Sequence, residues 1–314
     1  MILSAKKEYI FKENTVTPSC HASTVLPLKD GSVLVAWFGG KKEGDTTVAI
    51  YLSKRNTDGQ WSTPHCVSEN DGIPHWNPVL YQRPDGQIIL FYKYGVKIAD
   101  WITKFVLLDT DGNIISDPRE LVPGDTSGGR GPVKNKCLLL PSGRLLAPAS
   151  TEQNDRWIAF TDISDDNGKT WYNNGKFERP KYRGAYVGLI QPTLWTDDKG
   201  EVHCFMRSDK GAVYRSDSSD GGLHGKSPTV HASRTITAAL TAAPIITGVS
   251  GLYITPLMSI GACGIRSLLQ YRPTTESILP RFSAPNPATV NFRIPQLCVK
   301  IIHFTLHILT NANR

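Results

Sequence analysis

A fourfold repeat in the first two thirds of the chain restricts its possible folds more than any other feature. Four segments read as strand, tight turn and strand: HASTVLPLKDGSVLVAWFG, WNPVLYQRPDGQIILFYKYG, VKNKCLLLPSGRLLAPAST and IQPTLWTDDKGEVHCFMRS. Their turn glycines are spaced by 55, 57 and 57 residues and are Gly31, Gly86, Gly143 and Gly200. A glycine at such a turn supplies the positive φ that a short hairpin requires.

The length of the repeat indicates the fold class. A repeat of about 56 residues with several strands and no helical pattern predicts an all-β propeller built from four-stranded blades. The segment RWIAFTDIS at 156–164 fits an outer strand of one blade. The alternative is a β-sandwich in which the spacing is accidental.

The repeat also aligns the ends of the inner strands. Nine residues before the turn glycines stand Ala22, Asn77, Lys134 and Gln191. Seven residues after them stand Phe38, Lys93, Ser150 and Arg207. Inner strands of a propeller converge on its axis, and buried polar groups cost free energy unless they are paired, so we expect these ends to line a wet basin. An internal polar network that only joins the blades is the alternative.

One further segment matches a short structural motif. Residues 164–171 fit the Asp box, S-x-D-x-G-x-T-W, at its defined positions Ser164, Asp166, Gly168, Thr170 and Trp171. In this hairpin the Asp and Ser side chains bind the turn backbone while Trp packs into the blade, so we predict a structural role outside the active site. A degenerate copy lies at 56–61, and another begins at 218 and fails where His224 and Gly225 replace Thr and Trp.

Over residues 10–223 the chain resembles the Asp-box (BNR-repeat) family of sialidase, or neuraminidase, β-propellers. The resemblance rests on the motifs above and on the segments SCHASTVLPL, WFGGKKEGDTTVAIY, HWNPVLY, GPVKNK, PASTE and IQPTLW. The resemblance implies an all-β, six-bladed propeller of which about four blades are encoded here. It also implies a glycoside hydrolase of the exo-α-sialidase type, acting on sialic acid or another acidic sugar. The alternative is a non-catalytic carbohydrate-binding or scaffold propeller.

The resemblance implies an arginine triad for the substrate carboxylate, a tyrosine nucleophile activated by Glu and an Asp acid/base catalyst. Arg207 matches one arginine of the triad, and its planar guanidinium suits a carboxylate. The first arginine is replaced by Cys20 and His21, and Gln191 stands where many sialidases have the activating Glu. An amide cannot take a proton, so these replacements predict a departure from ordinary sialidase catalysis.

The other site candidates follow from loop position and register. Asp45 or Glu43, in the loop after the first hairpin, is the candidate acid/base catalyst, the alternative being an ordinary exposed acid. His21 is a candidate general base in place of the missing arginine, and Glu152 is a further catalytic candidate. Trp76 is either a platform for sugar stacking or a core residue. The predicted substrate-binding residues are Arg207, Lys93, Lys134, Asn135, Asn77, Trp76, Gln191 and Arg130.

Charge and composition exclude several partners. Although the net charge is +7, residues 1–223 carry 27 basic and 27 acidic side chains, so nucleic acid is not an expected partner. No signal segment or membrane span is evident, and we expect a cytoplasmic protein with no membrane partner and an oligomeric state left open. Six scattered cysteines predict free thiols. Neither metal-ligand spacing nor a phosphate loop is found, so no metal and no cofactor are predicted.

The chain changes character after Leu223. Residues 224–314 contain eight basic residues, one acid and no tryptophan. Deleting one base from CTN-ACA-TGG gives CTN-CAT-GG, which converts Leu-Thr-Trp into Leu-His-Gly, and later segments read in the other frame permit family-like strings. We therefore predict an incomplete propeller over 1–223 and a frameshifted, irregular tail over 224–314, without the nucleophilic tyrosine and the last arginine. The alternative is a genuine, unrelated extension.

Overall fold

Four sheets of four strands follow one another along the chain, and each is called a blade below. The computed structural model describes residues 8–69, 71–233, 238–245 and 249–256. Blade one contains β1 (Ser19–Pro27), β2 (Val33–Gly40), β3 (Ala49–Arg55) and β4 (His65–Cys66). Blade two contains β5 (His75–Gln82), β6 (Ile88–Tyr94), β7 (Ile102–Leu108) and β8 (Arg119–Glu120). Blade three contains β9 (Leu138–Leu139), β10 (Leu145–Gln153), β11 (Arg156–Ser164) and β12 (Tyr172–Lys176).

Blade four includes strands on both sides of Leu223. It contains β15 (Leu189–Thr196), β16 (Val202–Ser208), β17 (Ala212–Ser218) and β18 (Thr229–Ser233). Two-stranded sheets are formed by β13 (Lys181–Tyr182) with β14 (Ala185–Tyr186), and by β19 (Ala238–Ile245) with β20 (Val249–Pro256). Residues 257–314 lie outside the described residues, and so does most of the predicted irregular tail. The domain boundary at Leu223 and the frameshift stay predictions.

The chain divides into two compact units. In the described residues, the first unit comprises 8–90 and 106–118, and the second comprises 91–105 and 119–256. The first unit contains blade one, and the second contains blades three and four. The described part of the chain has a single short 3₁₀ helix, Ile98–Asp100, and no helix there has the length and apolar character needed to cross a membrane.

The turn glycines occupy equivalent hairpins in the four blades. Gly31, Gly86, Gly143 and Gly200 have φ values of 87°, 94°, 88° and 80°. Each glycine N–H donates to the carbonyl three residues earlier, over 3.0, 3.0, 2.9 and 3.1 Å. The predicted all-β fold of repeated four-stranded blades is therefore confirmed, whereas the six-blade total stays a prediction.

The four residues nine positions before these glycines share an unusual backbone conformation. Ala22, Asn77, Lys134 and Gln191 have φ values of 53°, 46°, 66° and 53°. The pairing register shifts at this point in both β1 and β15, as it does at a β-bulge, which re-aims side chains and interrupts regular pairing. Because alanine adopts the conformation as well as lysine and glutamine, the blade geometry sets it rather than the side chain.

Apolar side chains from successive strands form a core in each unit. In the first unit, Trp37 lies between Phe11 and Tyr51, with ring centroids at 5.2 and 6.3 Å. Every residue of β2 is buried, which is typical of a strand covered on both faces. In the second unit, the core of blades three and four includes Leu146, Met206 and neighbouring residues that are nearly inaccessible to solvent.

The Asp box forms the predicted structural hairpin between β11 and β12. The Asp166 carboxylate accepts hydrogen bonds from Ser164 Oγ (2.8 Å), Thr170 N (2.8 Å) and Thr170 Oγ1 (2.6 Å). Ser164 Oγ in turn accepts from the Gly168 N–H over 2.7 Å. Burial acts to raise the pKa of Asp166, but the hydrogen bonds outweigh it and lower the pKa to about 2. Trp171 packs edge-on against Phe91, with 6.1 Å between centroids.

Candidate functional site

Arg207 is the central cation of a polar cluster in the second unit. It lies near the end of β16, opposite Ile190 on β15. Its guanidinium carbon is 4.9 Å from the centroid of the Trp157 ring, within the range of a cation–π contact. Burial lowers the pKa of Arg207, and the charge of Glu152 opposes that shift. Its Nε atom is buried and has no hydrogen-bond partner among the described residues.

A tight hairpin brings Glu152 into the same cluster. Asn154 and Asp155 have φ values of 50° and 56°, the pattern of a two-residue type I′ turn, and this turn sets Glu152 opposite Trp157. Burial raises the pKa of the Glu152 carboxyl, while the charge of Arg207 and a hydrogen bond with the Trp157 side chain lower it by less. Glu152 is therefore a carboxyl group that holds its proton more strongly than an exposed one.

Gln191 adds an acceptor beside these groups. Its backbone N–H points to Ser150 Oγ over 3.3 Å, and its side-chain Oε1 is buried with no partner among the described residues. Asn135 Nδ2 donates to the carbonyls of Gln191 and Pro192 over 3.0 and 2.9 Å. Since Asn135 is only 1% exposed, its amide joins a loop to β15 in place of the predicted substrate contact. Lys134, the preceding residue, is half-buried.

Lys93 lies in a closed cage of oxygen atoms rather than on an open surface. Its Nζ atom donates to Thr103 Oγ1 (2.7 Å) and to the carbonyls of Arg130 (2.9 Å), Gly129 (3.2 Å) and Gly131 (3.3 Å). The side chain has no exposed surface, and burial lowers its pKa to about 7. Lys93 holds loop 129–131, and its burial does not favour the predicted role in substrate binding, which stays a prediction.

Arg130 is also engaged within the protein. Its Nε atom lies 2.6 Å from Asp162 Oδ1, and the Gly131 N–H donates to the second oxygen of the same carboxylate. Asp162 is fully buried, which makes this pair costly to break, because a lone buried charge would be left behind. Lys93, Arg130 and Asn135 thus fit the alternative stated above, an internal polar network that only joins parts of the protein. Glu152, Gln191 and Arg207 are half-buried and form the more exposed part of the cluster.

The first unit holds the remaining aromatic and histidine candidates. Trp76 is 6% exposed and packs edge-on against Phe38 at 5.3 Å, as a core residue does. His21 is half-buried opposite Phe38 in the β1–β2 pairing, with 5.6 Å between the ring centroids. Asn77 is half-buried at the left-handed position of β5.

The loop acids of the first unit differ in their surroundings. Asp45 Oδ1 accepts hydrogen bonds from Thr47 N (2.9 Å) and Thr47 Oγ1 (2.7 Å), and these bonds lower the pKa of Asp45. A proton donor at neutral pH requires the opposite shift, so this conformation of Asp45 favours a charged loop acid over the predicted catalyst. Glu43 is exposed on the same loop.

One group of side chains near the blade-four hairpin has ligand types suited to a cation. Atoms of Asp197, Glu201 and His203 lie within 4.8 Å of one another. His203 Nδ1 is 2.6 Å from Asp217 Oδ1, and its Nε2 is 3.4 Å from Asp197 Oδ2, so the imidazole already bridges two carboxylates. These contacts explain the group as a cluster of polar side chains that contact one another. Sequence spacing did not single it out.

Two important residues of the second unit were missed from sequence, Trp157 and Asp162. Trp157 had a usable signal, because an Asn-Asp turn at 154–155 places it directly opposite Glu152. Asp162 had no local signal, since its partner Arg130 is 32 residues away and belongs to an irregular loop.

Solved structures share this fold at low sequence identity. A protein of unknown function from Dyadobacter fermentans has a TM-score of 0.66 and 14% identity, covering 81% of this chain and 79% of that one. The Hadza microbial sialidase has a TM-score of 0.60 and 16% identity, covering 76% and 53%. Trypanosoma rangeli sialidase in complex with the inhibitor DANA has a TM-score of 0.63 and 14% identity, covering 80% and 48%. The chain thus spans about half the length of these two sialidases.

The sequence itself places the chain in a family. No curated protein sequence matches it. The family model described as BNR repeat-like domain matches residues 31–253, which is more than two thirds of the chain. The match agrees with the repeated hairpins, the Asp box and the all-β blades, and the protein therefore belongs to the family of BNR repeat-like domains.

Proposed function

We propose that this protein is a sialidase-like glycoside hydrolase whose second unit binds an anionic sugar through Arg207. The observation that supports the proposal most is the half-buried guanidinium with an unpartnered Nε, held against Trp157 beside Glu152. A buried guanidinium gains free energy from a charged ligand, and its fork matches a carboxylate. Sialidases with the same fold include one in complex with the inhibitor DANA, which supports a glycan as the ligand class.

Glu152 is the group that we assign to proton transfer. In the free protein, the charge of Arg207 partly offsets the effect of burial on its pKa. A substrate carboxylate bound to Arg207 would cancel that charge, so the pKa of Glu152 would rise further in the complex. A protonated carboxyl beside a bound sugar can act as a general acid.

The second candidate function is carbohydrate binding without turnover. Its specific support is Gln191, because an amide at this position cannot activate a nucleophile by taking its proton. The pKa of Asp45 is also lowered, which does not favour an acid catalyst in that loop. Both candidates require Arg207, but only the hydrolase requires Glu152 as a proton donor.

Binding is tested first, on the chain as it stands. A panel of sialosides and uronic-acid glycosides is titrated into the parent protein, Arg207→Met and Arg207→Lys. We expect Arg207→Met to weaken binding of the best ligand by about tenfold or more, since charged hydrogen bonds contribute about 1.5–3 kcal/mol. Arg207→Lys should recover part of the loss, and Arg183→Met, on an exposed loop, should bind as the parent does. Equal binding by all four proteins would rule out Arg207 as the anion anchor.

Turnover is tested with the chain read in the corrected frame after codon 223. If Glu152 donates a proton, turnover should fall as pH rises through its pKa, above the ordinary value of 4.5. Glu152→Gln should then reduce kcat at least a hundredfold while leaving ligand affinity within a few-fold, because general acid catalysis is worth about 10²–10⁴. Binding without turnover in the corrected parent protein would favour the carbohydrate-binding alternative.

A further inference from the structure

A cavity of about 210 Å³ opens in the second unit between blades three and four. Its apolar wall includes Leu146, Leu194, Val202 and Cys204, all of them at most 7% exposed. Phe177 also lines the cavity, and so does the chain segment that begins at Ser218 and ends at Gly225. Neither Glu152 nor Arg207 contributes to this lining, so the cavity is separate from the glycan site proposed above.

The segment that begins at Ser218 and ends at Gly225 forms a second Asp-box turn, and its hydrogen bonds resemble those of the first. Ser218 Oγ donates to Asp220 Oδ1 over 2.6 Å, and the Gly222 N–H donates to Ser218 Oγ over 3.0 Å. His224 takes the place of the box threonine: its N–H donates to Asp220 Oδ1 (3.0 Å), and its Nδ1 is 2.7 Å from Asp220 Oδ2. The turn is therefore complete although the sequence motif is not.

The two turns differ at the position that follows. In blade three this position is Trp171, whose indole packs into the protein against Phe91. In blade four it is Gly225, which places no side chain beside the apolar wall. Gly225 does not have a positive φ, so its backbone conformation would accept a larger residue. A Cβ there would approach Ser216 Oγ (2.7 Å) and Phe177 Cε1 (3.0 Å), so a larger residue requires both side chains to move, and Ser216 Oγ would have to give up its hydrogen bond to the Lys226 carbonyl.

We propose that this cavity is a binding site for a neutral planar aromatic molecule of indole size. The group that would fill it is the one that the intact Asp box carries covalently as Trp171. Engineered cavities of about 150 Å³ with apolar walls bind benzene, and this somewhat larger cavity, whose wall is apolar only in part, has room for a second fused ring. The lining also includes polar side chains, among them Thr161, Asn174 and Ser216, which offer acceptors for an indole N–H.

Indole itself is the probe. Isothermal titration of the full chain should show saturable indole binding, and indole should raise Tm, since a ligand that binds only the folded state stabilises it. Gly225→Trp should weaken indole binding at least tenfold and raise Tm without ligand. The matched control is Lys169→Trp, which adds an indole at an exposed position of the intact Asp box and should change neither quantity.

Two further variants keep the test decisive. Val202→Met lengthens an apolar side chain in the cavity wall and should also weaken indole binding. It therefore still tests the site if the Gly225→Trp protein does not fold. Arg207→Met should leave indole binding unchanged, which separates this site from the proposed glycan site. Absence of saturable binding to the parent chain, or equal binding by the parent, Gly225→Trp and Val202→Met, would overturn the proposal.

Discussion

At Lys93, the protein keeps an ammonium group away from water by surrounding it with acceptors. One hydroxyl and three carbonyl oxygens lie within 3.3 Å of Nζ, and the carboxylates of Asp162 and Asp125 act against the effect of burial on its pKa. Three of the four acceptors are the carbonyls of residues 129–131, and the fourth is the Thr103 hydroxyl. A single buried cation thus fixes the loop that also presents Arg130 to Asp162.

Replacing Lys93 is expected to have a large and pH-dependent effect on stability. Lys93→Met leaves buried carbonyls without a donor, so it should lower the free energy of unfolding by about 3 kcal/mol at pH 8. In the parent, the pKa is lowered to about 7 on folding, so the unfolded chain binds more protons above that pH and stability rises with pH between about 7 and 10.5.

Urea unfolding from pH 6 to pH 10 measures both effects, with Lys169→Met as the exposed control. Lys93→Met should lose the part of the rise that Lys93 contributes, whereas the control should keep it. An unchanged pH profile in Lys93→Met would show that the folded-state pKa of Lys93 is not lowered.

At the level of elements, the turn between β10 and β11 determines which side chains meet. Two residues in the left-handed region, Asn154 and Asp155, set the register that places Glu152 opposite Trp157. Adding or losing one residue in this turn would move the Trp157 side chain to the other face of the sheet. The candidate site therefore depends on a turn whose own two residues, Asn154 and Asp155, are not among the proposed ligand-binding residues.

A β-branched residue in that turn should be costly. Asp155→Val should reduce stability by about 1–2 kcal/mol, because branched side chains disfavour the left-handed region, whereas Asp155→Gly should be tolerated. The matched control is Asp198→Val, at an exposed turn residue that does not have a positive φ. Thermal unfolding compares the three variants, and equal losses for Asp155→Val and Asp198→Val would argue against a left-handed requirement at this position.

Across the whole molecule, the sequence was informative wherever the determining contacts are local. The turn glycines and the Asp box act within three to eight residues, and counting from the glycines puts Gln191 on β15 and Arg207 on the paired strand β16, as the structure has them. The sequence did not show whether each polar side chain at a strand end is enclosed or exposed, because this depends on distant loops. Lys93 is enclosed by residues 36–38 positions away, and Arg130 is paired with Asp162. Arg207 is half-buried.

The change of character after Leu223 leads to a prediction about the gene. His224 makes hydrogen bonds like those of the box threonine, and Gly225 lines a cavity at the position where the motif has tryptophan. We predict that restoring one base after codon 223 yields Thr and Trp at these positions, a longer readable propeller and a higher soluble yield. The nucleotide sequence and an expression trial of both frames test this. Early stop codons in the corrected frame would contradict it.

The left-handed position of the inner strands also matters for how such a protein can change. The chain places alanine, asparagine, lysine and glutamine at Ala22, Asn77, Lys134 and Gln191, in one and the same backbone conformation. The blade geometry holds each of these positions at a positive φ whichever of these residues is there. Exchanging one of these side chains for another therefore changes the chemistry at the position and leaves the backbone conformation as it is. Each blade thus has one position at which the side chain can be replaced, by evolution or by design, to change what the protein binds while the backbone stays the same.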